Sequence, residues 1–160
     1  HIAMHAFAKI TLFFCAGAIL VAAHKSRISE MRGLGFQMPI TMVAFFIASL
    51  SIIGVPPGGG TWSKWFLLVG TLETEQWIVM SVLLVSSLLN IAYLLPIPVR
   101  AFMSAGKDSS VRIAIKEAPL ASLIALCITA LGSVILFVYP QPLYELASQI
   151  LAYPEIIHAQ

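Results

Sequence analysis

Between two apolar runs the chain reads Gly54-Val55-Pro56-Pro57-Gly58-Gly59-Gly60-Thr61-Trp62-Ser63-Lys64. Proline lacks the N–H a helix needs and glycine holds helical backbone poorly, so a helix entering this stretch must end there. The backbone groups freed by the break need partners, and composition says in what solvent. Of 160 residues 59% are apolar and only 10% are charged, too few to wet the surface of a soluble domain. The chain therefore reads as an integral membrane protein. In hydrocarbon an unwound segment is tolerated only where protein or a water-filled cavity receives it. A broken membrane helix with an ionisable residue, Lys64, beside the break predicts a site for something in transit. Gly54, Pro56, Pro57, Gly58, Gly59 and Gly60 are its structural part.

The apolar pattern predicts an all-α, polytopic bundle of about four crossings over residues 1–140: 2–23, 40–72 broken at 54–60, 76–100 and 119–139. Residues 141–160 form an amphipathic interfacial segment, with Leu143, Leu146, Ala147, Ile150 and Leu151 at helical spacing around Glu145 and Gln149. The polar stretch 24–39 is predicted as a loop, with turns at Gly33 and Gly35 and Pro39 in the first turn of the next helix. Asn90 reads as an interhelix hydrogen-bonding group and the serines at 49, 51, 86 and 87 as helix-packing residues. Residue 1 is a histidine already inside an apolar helical pattern, so the chain reads as a fragment beginning part-way along a crossing.

Seven of the nine Lys and Arg residues, Lys25, Arg27, Arg32, Arg100, Lys107, Arg112 and Lys116, lie in or beside two loops that four crossings place on one side. The positive-inside rule makes loops 24–39 and 101–118 cytoplasmic. Glu73, Glu75, Glu145 and Glu155 fall on the other side. The two basic residues left over, Lys9 and Lys64, are the two within crossings, and the assignment works only if 40–72 crosses once.

His1, His5 and Lys9 recur every four residues and so share one helical face. A lysine removed from water gives up its proton more readily, and histidine exchanges protons with little tuning. Lys9, Lys64, His1 and His5 are therefore candidate members of a proton relay, in which charge arriving at one site pushes the proton off the next. The plainer alternatives are that Lys9 snorkels to an interface about 21 Å of helix rise before Ala23, and that 56–60 is an external loop with Lys64 an interfacial anchor.

Other chemistries find little footing. A formal charge of +2 and the lack of a recognition motif argue against nucleic acid. Cys15 and Cys127 both lie in apolar runs, which implies neither a disulfide framework nor a metal site. No nucleophile–base pair for an intramembrane enzyme is visible, and no cofactor is expected. From the residues alone the reading is an ion-translocating or substrate-binding membrane protein, with a truncated scaffold or assembly subunit as the rival of another class.

Four ordered motifs resemble one family. His1-Ile2-Ala3-Met4-His5-Ala6-Phe7-Ala8-Lys9, the Met31-Arg32-Gly33-Leu34-Gly35 loop with Met38-Pro39, the Gly54-Val55-Pro56-Pro57 break with Trp62-Ser63-Lys64, and Ser87-Leu88-Leu89-Asn90-Ile91-Ala92-Tyr93 are similar to segments of the proton-conducting antiporter-like membrane subunits. These are shared by Mrp-type Na+/H+ antiporters, in their D subunit above all, and by the membrane arm of NADH:quinone oxidoreductase. The resemblance implies the second half of an inverted-repeat fold, about a third of a full subunit. Lys9 would be the relay lysine, His1 and His5 the connecting histidines, and Lys64 the terminal lysine on the broken helix. It further implies other membrane subunits as partners, H+ and Na+ or K+ as cargo, and a bacterial or archaeal cell membrane. Ala8, Glu30, Thr61 and Trp65 depart from the family's usual residues, the last two beside Lys64.

Overall fold

Ala18 and Ala22 on one helix cluster with Ala44 on a second and Ala130 on a third, Ala8 and Ala48 being buried on the first two, and side chains this small let the three backbones close on one another. These helices are α1 (Ile2–Ala23), α3 (Pro39–Ile53) and α7 (Leu120–Val138), which pack mutually and form the core. In hydrocarbon such packing, rather than expulsion from water, holds a bundle together. Cys15 and Ile19 of α1, Met42 and Phe45 of α3 and Leu126 of α7 fill the space between them. Polar pairing adds one interhelix bond, Thr11 Oγ1 donating to Thr129 Oγ1 at 2.9 Å. Phe7 lies over Gly132, where a Cβ would come within 2.6 Å of the ring.

A computed structural model describes residues 1–103 and 115–158 of this arrangement. Lys107 and Arg112, used above for orientation, lie outside the described residues, as does the side chain of Glu155. All the described elements are helical. Between α1 and α3 the expected loop contains a short 3-10 turn, Ile28–Glu30, and one helical turn, α2 (Leu34–Gln37). Leu34 and Gly35 are buried, and Gly35 receives the ring of Phe102. The loop is thus folded onto the bundle end rather than hanging free.

After the break, α4 (Gly60–Glu73) leads through a tight turn into α5 (Trp77–Leu94), which continues as α6 (Pro96–Met103). Proline cannot donate to the preceding turn, so the joint falls at Leu95. Helical chain over Ile2–Ala23, Trp77–Phe102 and Leu120–Val138 is long and apolar enough to cross a bilayer, and Pro39–Ile53 is a shorter apolar helix. α5 is apolar yet mostly exposed on the isolated chain, a surface suited to lipid or to neighbouring protein. α8 (Gln141–His158) follows α7 after Pro140.

Glu117 ties the start of α7 to the start of α3. Its carboxylate accepts from the Ile40 N–H and the Thr41 hydroxyl, each at 2.7 Å. Ile40 and Thr41 belong to the first turn of α3, where N–H groups lack helical partners and the dipole favours a negative charge. Lys116 N–H to Gln37 O at 2.9 Å reinforces the tie.

Candidate functional site

α3 ends because Gly54 turns its backbone to φ 91°, ψ 35°, closing its N–H on Leu50 O at 2.9 Å. The left-handed region suits glycine, and here a second demand is made of it. A Cβ on Gly54 would sit 2.5 Å from Cδ of Lys64, so the missing side chain is the passage through which the lysine stem runs. At its end Lys64 Nζ donates to Ile53 O at 2.9 Å and to Ser87 Oγ of α5 at 2.8 Å. Ile53 O is one of the last carbonyls of α3, without a helical partner and at the negative end of the dipole, so an ammonium is well placed there.

Protein receives the rest of the break. Gly59 N–H donates to Ser133 O of α7 at 3.1 Å and Gly60 N–H to Ser51 Oγ of α3 at 3.2 Å. A Cβ on Gly60 would overlap the Ser51 carbonyl oxygen, and one on Gly58 would overlap the Ser51 Cα. Close approach of two backbones is what these glycines permit.

On α1 the four-residue spacing brings the rings of His1 and His5 into a stack, with centroids 5.6 Å apart and planes at 24°. His1 Nδ1 lies 2.8 Å from Ser63 Oγ, one residue before Lys64 in α4. His1, His5, Lys9 and Lys64 all line one cavity of about 590 Å3, together with Ser86, Asn90 and Tyr93 of α5. His5 and Lys64 are half-buried, while His1 and Lys9 are exposed on the isolated chain. Among the described residues no side-chain hydrogen bond joins Lys9 to Lys64; what they share is the cavity, which has room for several waters.

Three polar residues of this site carried no such role in the sequence. Ser87, read as a packing serine, accepts from Lys64. Ser63 meets His1. Asn90, expected to bond across helices, instead accepts from Tyr93 of its own helix at 2.6 Å, and both line the cavity. A signal was present: Ser86, Ser87, Asn90 and Tyr93 recur at helical spacing and form a polar stripe on an otherwise apolar helix. Among the described residues no cluster of His, Cys, Asp or Glu is suited to hold a metal ion.

The four relay candidates and the break all fall within residues 1–90, the segment that matches the family described as NADH:quinone oxidoreductase/Mrp antiporter, TM. The chain belongs to this family. NADH-quinone oxidoreductase subunit N of Desulforudis audaxviator is 42% identical over 103 residues, 64% of this chain and 21% of that protein. The D subunit of the Na(+)/H(+) antiporter of Alkalihalophilus pseudofirmus is 28% identical over 154 residues, 94% of this chain and 30% of that one. Among solved structures, a chain of the Mrp complex from a Dietzia species superposes with a TM-score of 0.77 at 23% identity, over 89% of this chain and 34% of its own length. The antiporter-like fold is thereby established for an integral membrane chain that spans a fifth to a third of the length of these relatives.

Proposed function

We propose that the chain is part of a proton-translocating membrane subunit of a multisubunit monovalent cation/proton antiporter. Lys9, His1, His5 and Lys64 would carry the proton. The observation that carries this reading is the placement of Lys64 Nζ between Ile53 O, at the open end of a broken helix, and Ser87 Oγ, on a cavity shared with Lys9 and both histidines. An ammonium has three N–H donors, and two are engaged by these acceptors. The third serves the cavity. When that proton leaves, the neutral amine keeps both bonds and holds its lone pair ready for the next, so the lysine can be discharged without moving its stem. A charge arriving on Lys9 favours that discharge. At an effective dielectric of about 20, two like charges about 10 Å apart repel by about 1.7 kcal/mol, roughly a fifteenfold change in proton affinity.

The cargo on this reading is H+ against Na+ or K+, and the partners are other membrane subunits of one complex, as in the assemblies of its relatives. The chain would lie in a bacterial or archaeal cell membrane with loops 24–39 and 101–118 cytoplasmic, residues 1–140 forming the bundle and 141–160 lying along the membrane face. A second reading is favoured by the 42% identity to an oxidoreductase subunit N: the same relay in a pump driven by quinone reduction elsewhere in the complex.

The test is proton/cation exchange in inverted membrane vesicles holding the chain in its native complex. Lys64→Ala and Lys9→Ala are expected to lower exchange by more than about tenfold, the scale of losing a proton-transfer group, with the complex still assembled. Exchange that is unchanged in both would leave the lysines as helix anchors and the chain as scaffold.

A further inference from the structure

Among the described residues Lys9 and Lys64 share a cavity but no side-chain hydrogen bond, so a proton passing between them needs water held in order. The walls differ in what they offer that water. Of the α3 side chains lining the cavity, Phe45 and Ile52 are apolar, and Ser51 Oγ already accepts from Gly60 N–H at 3.2 Å. On α1 the lining turns apolar after Lys9, with Leu12, Phe13 and Ala16. The remaining polar wall is α5, where Ser86, Asn90 and Tyr93 follow one another on one face over about 10 Å of helix rise. Ser87, which holds Lys64 Nζ, is the chain neighbour of the first of them.

Asn90 and Tyr93 act as a pair. The Tyr93 hydroxyl donates to Asn90 Oδ1 at 2.6 Å, a short bond that commits the phenol proton. What the pair then has left to give is complementary: the Tyr93 oxygen keeps its lone pairs as an acceptor, and the Asn90 amide keeps two N–H donors. An acceptor and a donor side by side fix which way a bound water points, and such networks are stronger inside protein than in bulk solvent.

We propose that Asn90 and Tyr93 are positioning residues of the lysine cavity, which together orient the water through which a proton passes between Lys9 and Lys64. The inference rests on the proton-relay reading and adds α5 to a path otherwise built from α1 and α4. A proton that leaves one lysine enters the chain of water as another leaves the chain for the neutral amine of the other, and the phenol and the amide keep their own protons. The charged and titratable groups on the cavity with the pair are His1, His5 and Lys9 on α1 and Lys64 on α4; the α3 side chains that line it carry none.

The experiment is exchange in vesicles holding the native complex, recorded from mildly acidic to alkaline pH and in ordinary and heavy water, for Tyr93→Phe, Asn90→Leu and Asn90→Asp beside Lys64→Ala. The level of the protein is checked in each membrane. Tyr93→Phe removes only the hydroxyl and Asn90→Leu the whole pair. Each is expected to slow exchange roughly fivefold to tenfold, the scale of one lost hydrogen bond, and to enlarge the rate ratio between ordinary and heavy water, because transfer through unordered water becomes the slow step. Asn90→Asp sets a carboxylate on the cavity, which holds protons on the lysines. Its optimum is expected to move to higher pH by about one unit, the scale of one opposite charge about 10 Å away at an effective dielectric of about 20. Wild-type rates in Tyr93→Phe and Asn90→Leu, with Lys64→Ala inactive, would overturn the role of the pair and leave the lysine relay standing. Slower exchange with an unmoved isotope ratio, and an unmoved optimum in Asn90→Asp, would make the pair a packing contact and overturn it equally. Tyr93→Phe, which keeps the ring, decides by rate and isotope ratio should an asparagine variant fail to assemble. Wild-type exchange in Lys64→Ala would overturn both readings.

Discussion

Gly54 shows what one residue contributes. Its φ of 91° costs an L-residue about 1–2 kcal/mol, and its missing Cβ is the channel for the Lys64 stem. Gly54→Ala meets both demands at once, so Lys64 is expected to lose its bonds to Ile53 O and Ser87 and exchange to fall by more than about tenfold, as in Lys64→Ala. Gly70 makes the contrast. It lies within α4 with open space where a methyl would go, so Gly70→Ala is expected to leave exchange intact and to stabilise the helix by about 0.5–1 kcal/mol, measurable as a raised thermal midpoint of the solubilised complex. The sequence could name Gly54 as a helix breaker, because that property is intrinsic to the residue. It could not tell that a lysine ten residues later passes over it, since that depends on how α3 and α4 lie against each other. Ser63 and Ser87 were illegible for the same reason: spacing fixes which face a side chain occupies but not what stands opposite.

At the scale of elements, the first turn of α4 caps two other helices. Lys64 serves the last carbonyls of α3, and Trp62 Nε1 donates to Phe137 O at 2.8 Å, one of the last carbonyls of α7. With Gly59 N–H on Ser133 O, the break is fixed to the helices on both sides of it. Such a break is a built structure rather than a gap, which is the condition under which unwound backbone is tolerated in hydrocarbon. Trp62→Phe keeps an aromatic ring against Phe137, whose centroid is 6.2 Å from that of Trp62, and removes only the N–H. The expected cost is about 1 kcal/mol, seen as a lowered thermal midpoint with exchange retained. The break, the helical class and the polar stripe on α1 were legible because Pro, Gly and ionisable residues interrupt apolar runs at countable intervals. The short turn α2 was not: four residues give no period, and it is the docking of Leu34 and Gly35 that shapes it.

For the whole molecule, the described ends of the chain segments sort into two groups, and the proposed orientation follows from them. Lys116 N–H on Gln37 O, Glu117 on Ile40 and Thr41, and Phe102 against Phe36 gather the end of α6 and the starts of α3 and α7 at one end of the bundle. Lys25, Arg27, Arg32, Arg100 and Lys116 belong to the segments that meet there or lead into them. The positive-inside rule would make that end cytoplasmic and put Glu73 and Glu75, between α4 and α5, on the opposite face. With Cys15 and Cys127 replaced by alanine, a membrane-impermeant thiol reagent is expected to label Glu73→Cys in intact cells and Lys25→Cys only after permeabilisation. Labelling of both positions from the same side would mean that α3 and α4 enter and leave by one face. The break would then be the tip of a re-entrant hairpin, and Lys64 would not stand on a path across the membrane. Opposite sidedness requires the chain to pass from one face to the other through Gly54–Gly60, which would set the proposed proton path across the bilayer and not along one surface of it.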